Sequence, residues 1–227
     1  MEKTVMGDTL NSNEVKEESR FYRLRLLLIR VRHGLLFMTL RGILVKMGID
    51  IGLYYWVQEG VDPVDPPKVK GNEEEYNFGF LDLEDIKSLK NISFFSPNKL
   101  VKRYNDGLKI IGLKDRNSQI AAVMCIEYKN FTYRKKRFHL KNDEVYLLNM
   151  YTYQNFRGKN LAPYLRFCSY NLLKQEGIKK IYSVTDYYNK SSQKFKRKLS
   201  AKPLTLYFAI ILFKKFHKTV KIKDYFN

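Results

Sequence analysis

The chain has 227 residues, of which 44% are apolar and 15% aromatic, enough to bury a hydrophobic core and to exclude an intrinsically disordered protein. It carries 42 lysine and arginine residues against 23 acidic ones, and the net charge of +19 favours anionic partners. Its two cysteines show neither zinc-site spacing nor a disulfide framework, so we expect no metal site and a reducing, cytoplasmic compartment.

Residues 1–60 are predicted to form a basic, helical N-terminal extension. The first eighteen residues are polar and acidic and lack the pattern of a signal peptide. In residues 20–48, arginines interrupt runs of Leu, Ile, Val and Phe, which predicts two amphipathic or wholly apolar helices divided near His33 and Gly34. Two interpretations stay open: peripheral contact with a membrane surface, or packing on the main domain with arginine stems covering apolar surface.

A linker is predicted over residues 61–80, where prolines, glycines and an acidic run give the composition of an exposed connector. Residues 81–227 are then expected to form the main domain. No segment reaches the roughly 20 uncharged apolar residues that a bilayer span needs. The longest apolar run, residues 203–213, is about half that length and rich in β-forming residues, so it predicts a buried strand.

The main domain is predicted to alternate between helices and strands. Asp82 precedes a helical spacing within residues 81–89, and two apolar runs within residues 108–129 flank a polar turn, which is typical of a hairpin. Strand-forming segments follow at 144–152 and 181–185, with a helix between them. This order predicts an α/β fold with a mixed sheet.

A glycine-containing turn joins the 144–152 strand to the next helix. Gly158 lies in the sequence Arg-Gly-Lys-Asn, and apolar residues then recur at helical spacing until Gly177. A strand ending in such a turn presents unpaired backbone N–H groups and the positive end of the helix dipole, an arrangement that binds phosphate. A purely structural turn is the alternative. The predicted apolar face consists of Leu161, Leu165, Cys168 and Leu172.

The residues around this turn resemble the fourth strand and signature motif of the GNAT N-acetyltransferase family. The family motif is commonly Tyr-Arg-Gly-Lys-Gly-Ile-Gly or Ala, and residues 156–162 are Phe-Arg-Gly-Lys-Asn-Leu-Ala. Asn160 replaces the second glycine, a tolerable change because Asn enters unusual backbone conformations more readily than most residues. Asn155 replaces the leading Gln or Arg. Residues 189–201 are similar to the family's later Asn-x-x-Ser and Lys-Leu-Gly-Phe sequences.

The resemblance covers residues 81–213 in the order of elements and implies a mostly antiparallel central sheet flanked by helices. It implies an N-acetyltransferase that uses acetyl-CoA, or another acyl-CoA, and acts on an amine of a small molecule or peptide. Lysines after residue 190 would contact the 3′-phosphate. The residues implied to bind the cofactor are Arg157, Gly158, Lys159, Asn160, Leu161 and Ala162 at the pyrophosphate, Met150, Tyr151 and Thr152 at the pantetheine amides, and Asn189 and Ser192 near the sulfur.

The resemblance also implies two catalytic residues. Glu144 lies thirteen residues before Arg157, the offset at which the histone-modifying branch of the family carries its glutamate, and it is the predicted general base. A glutamate that merely ends a hairpin is the alternative. The family often places a tyrosine, the acid for the thiolate, four residues after the motif serine, but Lys196 stands there. Tyr188, or its neighbour Tyr187, is the predicted substitute.

The positive charge is concentrated near the C-terminus. Residues 187–227 hold eleven lysine and arginine residues against one aspartate, a local net charge of +10. Such a surface attracts nucleic acid, anionic lipid or a phosphorylated cofactor. No recognised nucleic-acid-binding motif accompanies it, so nucleic acid is not the expected partner. The rivals to the enzyme are a nucleic-acid-binding protein and a membrane-surface protein of this fold without catalysis.

Overall fold

The computed structural model describes residues 36–71, 75–89 and 97–225, including their side chains except those of 36–39 and 97. No helix within these three ranges is long and apolar enough to cross a membrane. In chain order the elements are α1 (Leu36–Lys46), β1 (Ile49–Glu59), β2 (Asn77–Phe80), α2 (Leu83–Ser88), α3 (Pro97–Asn105), β3 (Lys109–Lys114), β4 (Ile120–Glu127), β5 (Phe131–Tyr133), β6 (Lys136–Phe138), β7 (Glu144–Thr152), a 3₁₀ turn (Gln154–Phe156), α4 (Leu161–Gln175), β8 (Lys180–Asp186), α5 (Lys190–Lys198), β9 (Lys202–Leu212) and β10 (Phe216–Asp224).

Eight of the strands form one sheet in the order β10-β9-β1-β8-β7-β4-β3-β2, and β5 and β6 form a separate hairpin. Neighbours in the large sheet are antiparallel except β7 and β8, which run parallel. The predicted α/β fold, a mixed and mostly antiparallel sheet flanked by helices, is therefore confirmed. The predicted hairpin is β3–β4, and the apolar run predicted to be a strand is β9.

Strand β1 lies inside the sheet, where Tyr54–Glu59 pair with β8 and Ile49–Gln58 pair with β9. The prediction of a helical extension over residues 1–60 is therefore wrong for residues 49–59. This strand contains the run Leu-Tyr-Tyr-Trp-Val, whose aromatic and β-branched side chains favour a strand. Helix α1 precedes it, and the rest of the predicted extension, residues 1–35, lies outside the described residues.

The predicted linker over residues 61–80 is wrong for Asn77–Phe80, which form β2 of the large sheet, and the main domain does not begin at residue 81 because β1 and β2 both belong to it. The rest of the predicted linker connects β1 to β2 and packs on the domain. Val69 and Tyr76 are buried in the core cluster that α4 shares with the sheet. The N–H of Lys70 donates to the carbonyl of Lys159 (3.0 Å), and the side-chain amide of Asn160 donates to the carbonyl of Lys68 (2.7 Å). These bonds hold the connector against the turn that begins α4.

The two faces of the sheet carry separate cores. Met124 of β4 packs in the α4 core, whereas the next residue, Cys125, packs in a second core with α2 and α3. Successive side chains of a strand point to opposite faces, so α2 and α3 cover the face opposite α4. Helix α2 begins at Asp82 as predicted, with a capping box in which the Asp82 carboxylate accepts from the N–H of Asp85 (2.8 Å).

Helix α4 is confirmed, but its buried face is rotated from the predicted one. Cys168 and Leu172 are only half-buried. Three polar residues, Arg166, Ser169 and Tyr170, are buried on the helix instead, and Arg166 is charged. The buried residues of α4 are Leu161, Leu165, Arg166, Ser169, Tyr170 and Leu173.

Candidate active site

Strands β7 and β8 separate halfway along their length. They pair only between Glu144–Leu147 and Lys180–Ser183. Beyond that point β7 carries a bulge against β4, at Asn149, whose φ is +53°. A bulge bends a strand and increases its twist, which accounts for the separation. A cavity of about 250 Å³ lies in the opening and is lined by residues of both strands, namely Leu148, Asn149, Met150, Val184, Thr185 and Asp186.

An open groove runs from this cavity along the N-terminus of α4. The groove has a volume of about 750 Å³ and shares Met150 with the cavity. A neighbouring depression of about 560 Å³ shares Asn160 with the groove and Phe195 with the cavity. The three spaces therefore adjoin one another and form one continuous surface, which lies between the strands at one end and is cationic at the other. Its exposed cations are Lys68, Lys70, Arg157, Lys194 and Lys198.

The turn before α4 leaves backbone donors facing the groove. Gly158 and Asn160 both adopt left-handed conformations, with φ of +81° and +66°, so Asn160 takes the unusual backbone conformation for which Asn is suited. The Asn160 side chain makes no capping bond to the helix. Within the described residues, no hydrogen bond uses the N–H groups of residues 158–162. The geometry is that of an anion site at a helix N-terminus.

Ten of the eleven predicted cofactor-binding residues line the cavity or the groove. The exception is Lys159, whose ammonium lies 3.2 Å from the Tyr76 hydroxyl and over the Phe156 ring. Arg157 lines the groove, but its Nε donates to the carbonyl of Thr152 (3.1 Å). Binding by these residues stays a prediction. The groove is lined by Met150, Tyr151, Thr152, Arg157, Gly158, Asn160, Leu161 and Ala162, and the cavity by Met150, Asn189 and Ser192.

Glu144, the predicted base, lies at the paired end of β7. Its carboxylate accepts hydrogen bonds from the N–H of Lys141 (3.1 Å) and from the hydroxyl of Tyr182 (3.3 Å). It lines neither the cavity nor the groove. Its catalytic role stays a prediction, and these bonds fit the alternative of a residue that ends a hairpin.

Tyr188, the predicted acid, lines a second and mainly apolar cavity of about 210 Å³ beside α1. This cavity shares Asp186 with the first one. The Asp186 carboxylate is ion-paired with Arg41 (3.2 Å) and accepts the backbone N–H of Tyr188 (3.2 Å). Asp186 is thus the carboxylate that stands between the two cavities.

A buried polar cluster reaches the lining of the first cavity through Arg166 and Lys196. Its centre is Glu59 of β1, whose carboxylate is 3.0 Å from the ammonium of Lys196 and 3.5 Å from Nε of Arg166. Ser183 and Tyr170 donate hydroxyl hydrogen bonds to the two oxygens of Glu59. The cluster joins β1, α4, β8 and α5 through charged contacts.

These contacts shift the ionisation of the cluster. Burial opposes the charge on Glu59, but Arg166 and Lys196 outweigh it, and the pKa of Glu59 falls to about 2. Burial lowers the pKa of Lys196 to about 8, although Glu59 acts in the opposite direction. Burial and the Glu59 carboxylate raise the pKa of Tyr170 well above its ordinary value. Glu59 is therefore ionised at neutral pH.

Sequence reasoning missed Glu59 and Arg166 as members of the site. Glu59 ends a strand that was assigned to a helical extension, and Arg166 lies on a helix face whose rotation was misjudged. A search for β-formers in residues 49–58 would have found the strand. Lys68 and Lys70 were missed because nothing in the sequence predicts that the connector is bonded to the turn before α4. Only the fold brings these four residues to one site.

No family model matches the sequence, and no curated protein matches it. The solved structures that are similar to it in fold include the following three. An acetyltransferase described as belonging to the GNAT family, from Novosphingobium aromaticivorans, has 13% identity and a TM-score of 0.52, over 73% of this chain and 66% of that one. A GCN5-related N-acetyltransferase from Sphaerobacter thermophilus has 8% identity and a TM-score of 0.51, over 80% of this chain and 55% of that one. A Drosophila protein has 12% identity and a TM-score of 0.51, over 77% of this chain and 56% of that one.

This chain spans between about half and two thirds of the length of those three proteins. Strands β7 and β8 and the turn before α4 occupy the places that the sequence predicted for two strands and a glycine turn. The chain has the fold of the GNAT N-acetyltransferases.

Proposed function

We propose that this protein is an N-acyltransferase that moves an acyl group from acyl-CoA, acetyl-CoA in the simplest case, to an amine. The supporting observation is the continuous surface that leads from the cationic groove to the cavity between β7 and β8. Phosphates of CoA would meet the lysines and the free N–H groups at the open end. The thioester would then reach the enclosed end, next to Asn189 and Ser192.

The reaction needs a base and a route for one proton. A neutral amine attacks the thioester carbonyl, the C–N bond forms, and the C–S bond breaks while the thiolate leaves with the electron pair. The base takes the proton of the amine, and the thiolate is protonated to the free thiol. We assign the base to Asp186 because it borders both cavities, with Glu144 as the alternative from sequence spacing. Tyr188 beside Asp186 is the proposed acid.

Calorimetry and a thiol-release assay test this proposal. CoA should bind to the full chain, and 3′-dephospho-CoA should bind more weakly because it lacks the charge that the lysines would meet. With acetyl-CoA and a panel of amines, Asp186→Asn should lower kcat by about 10² to 10⁴, the usual size of a general-base contribution. Arg41→Gln, which keeps the carboxylate, is the control for the broken ion pair. A chain that binds no CoA would overturn the proposal. If kcat falls in Glu144→Gln and not in Asp186→Asn, the base is Glu144.

A second candidate function, contact with an anionic membrane, is favoured by two adjacent turns. Met47, Phe213 and Phe216 are 63%, 66% and 75% exposed. The turns touch through the N–H of Phe213, which donates to the carbonyl of Gly48 (2.6 Å). Lys46, Lys214 and Lys215 lie in or next to these turns. Exposed apolar side chains ringed by lysines suit a surface of anionic lipid.

Vesicle sedimentation separates this function from catalysis. The full chain should bind vesicles that contain phosphatidylserine and not vesicles of phosphatidylcholine alone. Replacing Met47, Phe213 and Phe216 by serine should remove this binding without changing CoA affinity. Phe80→Ser is the matched control, since Phe80 is 45% exposed on the opposite edge strand. Binding that survives in the triple variant would exclude these turns as the contact.

A further inference from the structure

Two cations and one carboxylate are buried together beside the first cavity. The side chains of Arg166, Lys196 and Glu59 are 5%, 6% and 0% exposed. When all three are ionised, the cluster has one positive charge without a buried partner. Burying an unpaired charge is strongly unfavourable, so the charge calls for an anion.

The lysine of this cluster is fully engaged by protein groups. Its ammonium lies 3.0 Å from Oε1 of Glu59 and 2.6 Å from the hydroxyl oxygens of Ser183 and Thr185. These contacts use the donors of an ammonium group. The other oxygen of Glu59 accepts the hydroxyl of Tyr170. The lysine and the carboxylate therefore satisfy each other's hydrogen bonds, whereas Arg166 is held near Glu59 by charge alone.

Arg166 is the cation that remains. Its Nε is 3.5 Å from the nearest oxygen of Glu59, and within the described residues Nε and Nη1 are buried without a hydrogen-bond partner. Its side chain lines the cavity. The acidic residue on the cavity lining, Asp186, is paired with Arg41 rather than with Arg166. Arg166 is therefore the cation of the cluster that lines the cavity and still has guanidinium N–H groups without an acceptor in the part of the chain that the structure describes.

We propose that the cavity accepts an acyl chain that ends in a carboxylate, so that the donor is the CoA thioester of a short dicarboxylic acid. This rests on the proposed function. The planar guanidinium of Arg166 can bind a carboxylate through two parallel hydrogen bonds. In the reaction the C–S bond breaks and the C–N bond forms as for acetyl transfer. The distal carboxylate takes no part and remains on the product amide.

The test compares donors with four acyl carbons that differ in charge. Binding of succinyl-CoA and butyryl-CoA to the full chain is measured by calorimetry, without an acceptor. Succinyl-CoA should bind about 10- to 100-fold more tightly, the size of a charge-assisted hydrogen bond to a buried group. Arg166→Gln should remove the preference, and Arg166→Lys should keep part of it. Arg157→Gln is the matched control, because loss of a groove cation should weaken both thioesters equally.

The outcomes separate this inference from the function on which it rests. Equal affinity for the two thioesters in the wild-type protein would overturn the inference and leave the acyltransferase in place. A preference that persists in Arg166→Gln, with thermal unfolding showing a folded variant, would also overturn it. Failure to bind any CoA thioester would overturn the function and the inference together.

Discussion

The two cationic sites of the molecule are built in opposite ways. The groove carries exposed lysines and arginine on a loop, a turn and α5, and each of them is solvated. The cluster around Glu59 places two cations in the interior, where they contact one carboxylate. Solvated charges can be changed singly at small cost, whereas buried charges depend on one another. We therefore expect the groove to control affinity and the cluster to control both stability and selectivity.

The largest effect is expected from removing the shared carboxylate. Glu59→Gln leaves Arg166 and Lys196 buried without a counter-charge, which should lower the free energy of unfolding by about 3 to 5 kcal/mol. Denaturant unfolding monitored by circular dichroism measures the change. Glu84→Gln is the control: its partner Lys87 and the carboxylate are 54% and 82% exposed, so the loss should be under about 1 kcal/mol. Equal losses of unfolding free energy at the two positions would show that the buried carboxylate matters no more to stability than an exposed one.

The same carboxylate should govern acid stability. The pKa of Glu59 is about 2 in the folded protein against an ordinary value of 4.5. A carboxyl group with a lowered pKa contributes stability that is present above its unfolded pKa and is lost as the pH falls toward the folded pKa. Stability should therefore fall by about 3 kcal/mol between pH 4.5 and pH 2 on account of this group. In Glu59→Gln this decrease in the free energy of unfolding below pH 4.5 should disappear. If the pH dependence of stability is unchanged in the variant, the decrease is due to other carboxylates.

Two glycines with the same backbone conformation allow an effect on CoA binding to be separated from an effect on stability. Gly158 and Gly177 both have φ of +81°, and an added Cβ would meet nothing within 4 Å at either position. Gly158→Val and Gly177→Val should therefore cost similar stability, on the order of 1 to 2 kcal/mol. Only Gly158→Val should weaken CoA binding, by at least about tenfold, because its side chain enters the space in which the phosphate approaches the N–H groups. If calorimetry finds equal CoA affinities for the two variants, the turn is not part of the proposed site.

The contrast between the two sites also explains how much the sequence could predict. The turn at Gly158 lies within one strand–turn–helix unit, so local spacing predicts both its structure and the residues that line the groove. The cluster draws Glu59, Arg166 and Lys196 from three elements that are far apart in sequence. No local pattern joins them, since their proximity depends on β1 lying between β8 and β9.

The smallest expected effect is a difference in how salt acts on binding at the two sites. Exposed charges are screened over about 8 Å at physiological ionic strength, whereas buried pairs are screened much less. Raising the salt concentration from about 0.05 to 0.5 M should therefore weaken binding of every CoA thioester, by roughly three- to tenfold, through the groove lysines. The ratio of succinyl-CoA to butyryl-CoA affinity should change by less than about twofold, because Arg166 is buried. A ratio that falls in parallel with the affinities would place the selective charge at the surface, and Lys194 and Lys198 would then replace Arg166 as the residues to mutate.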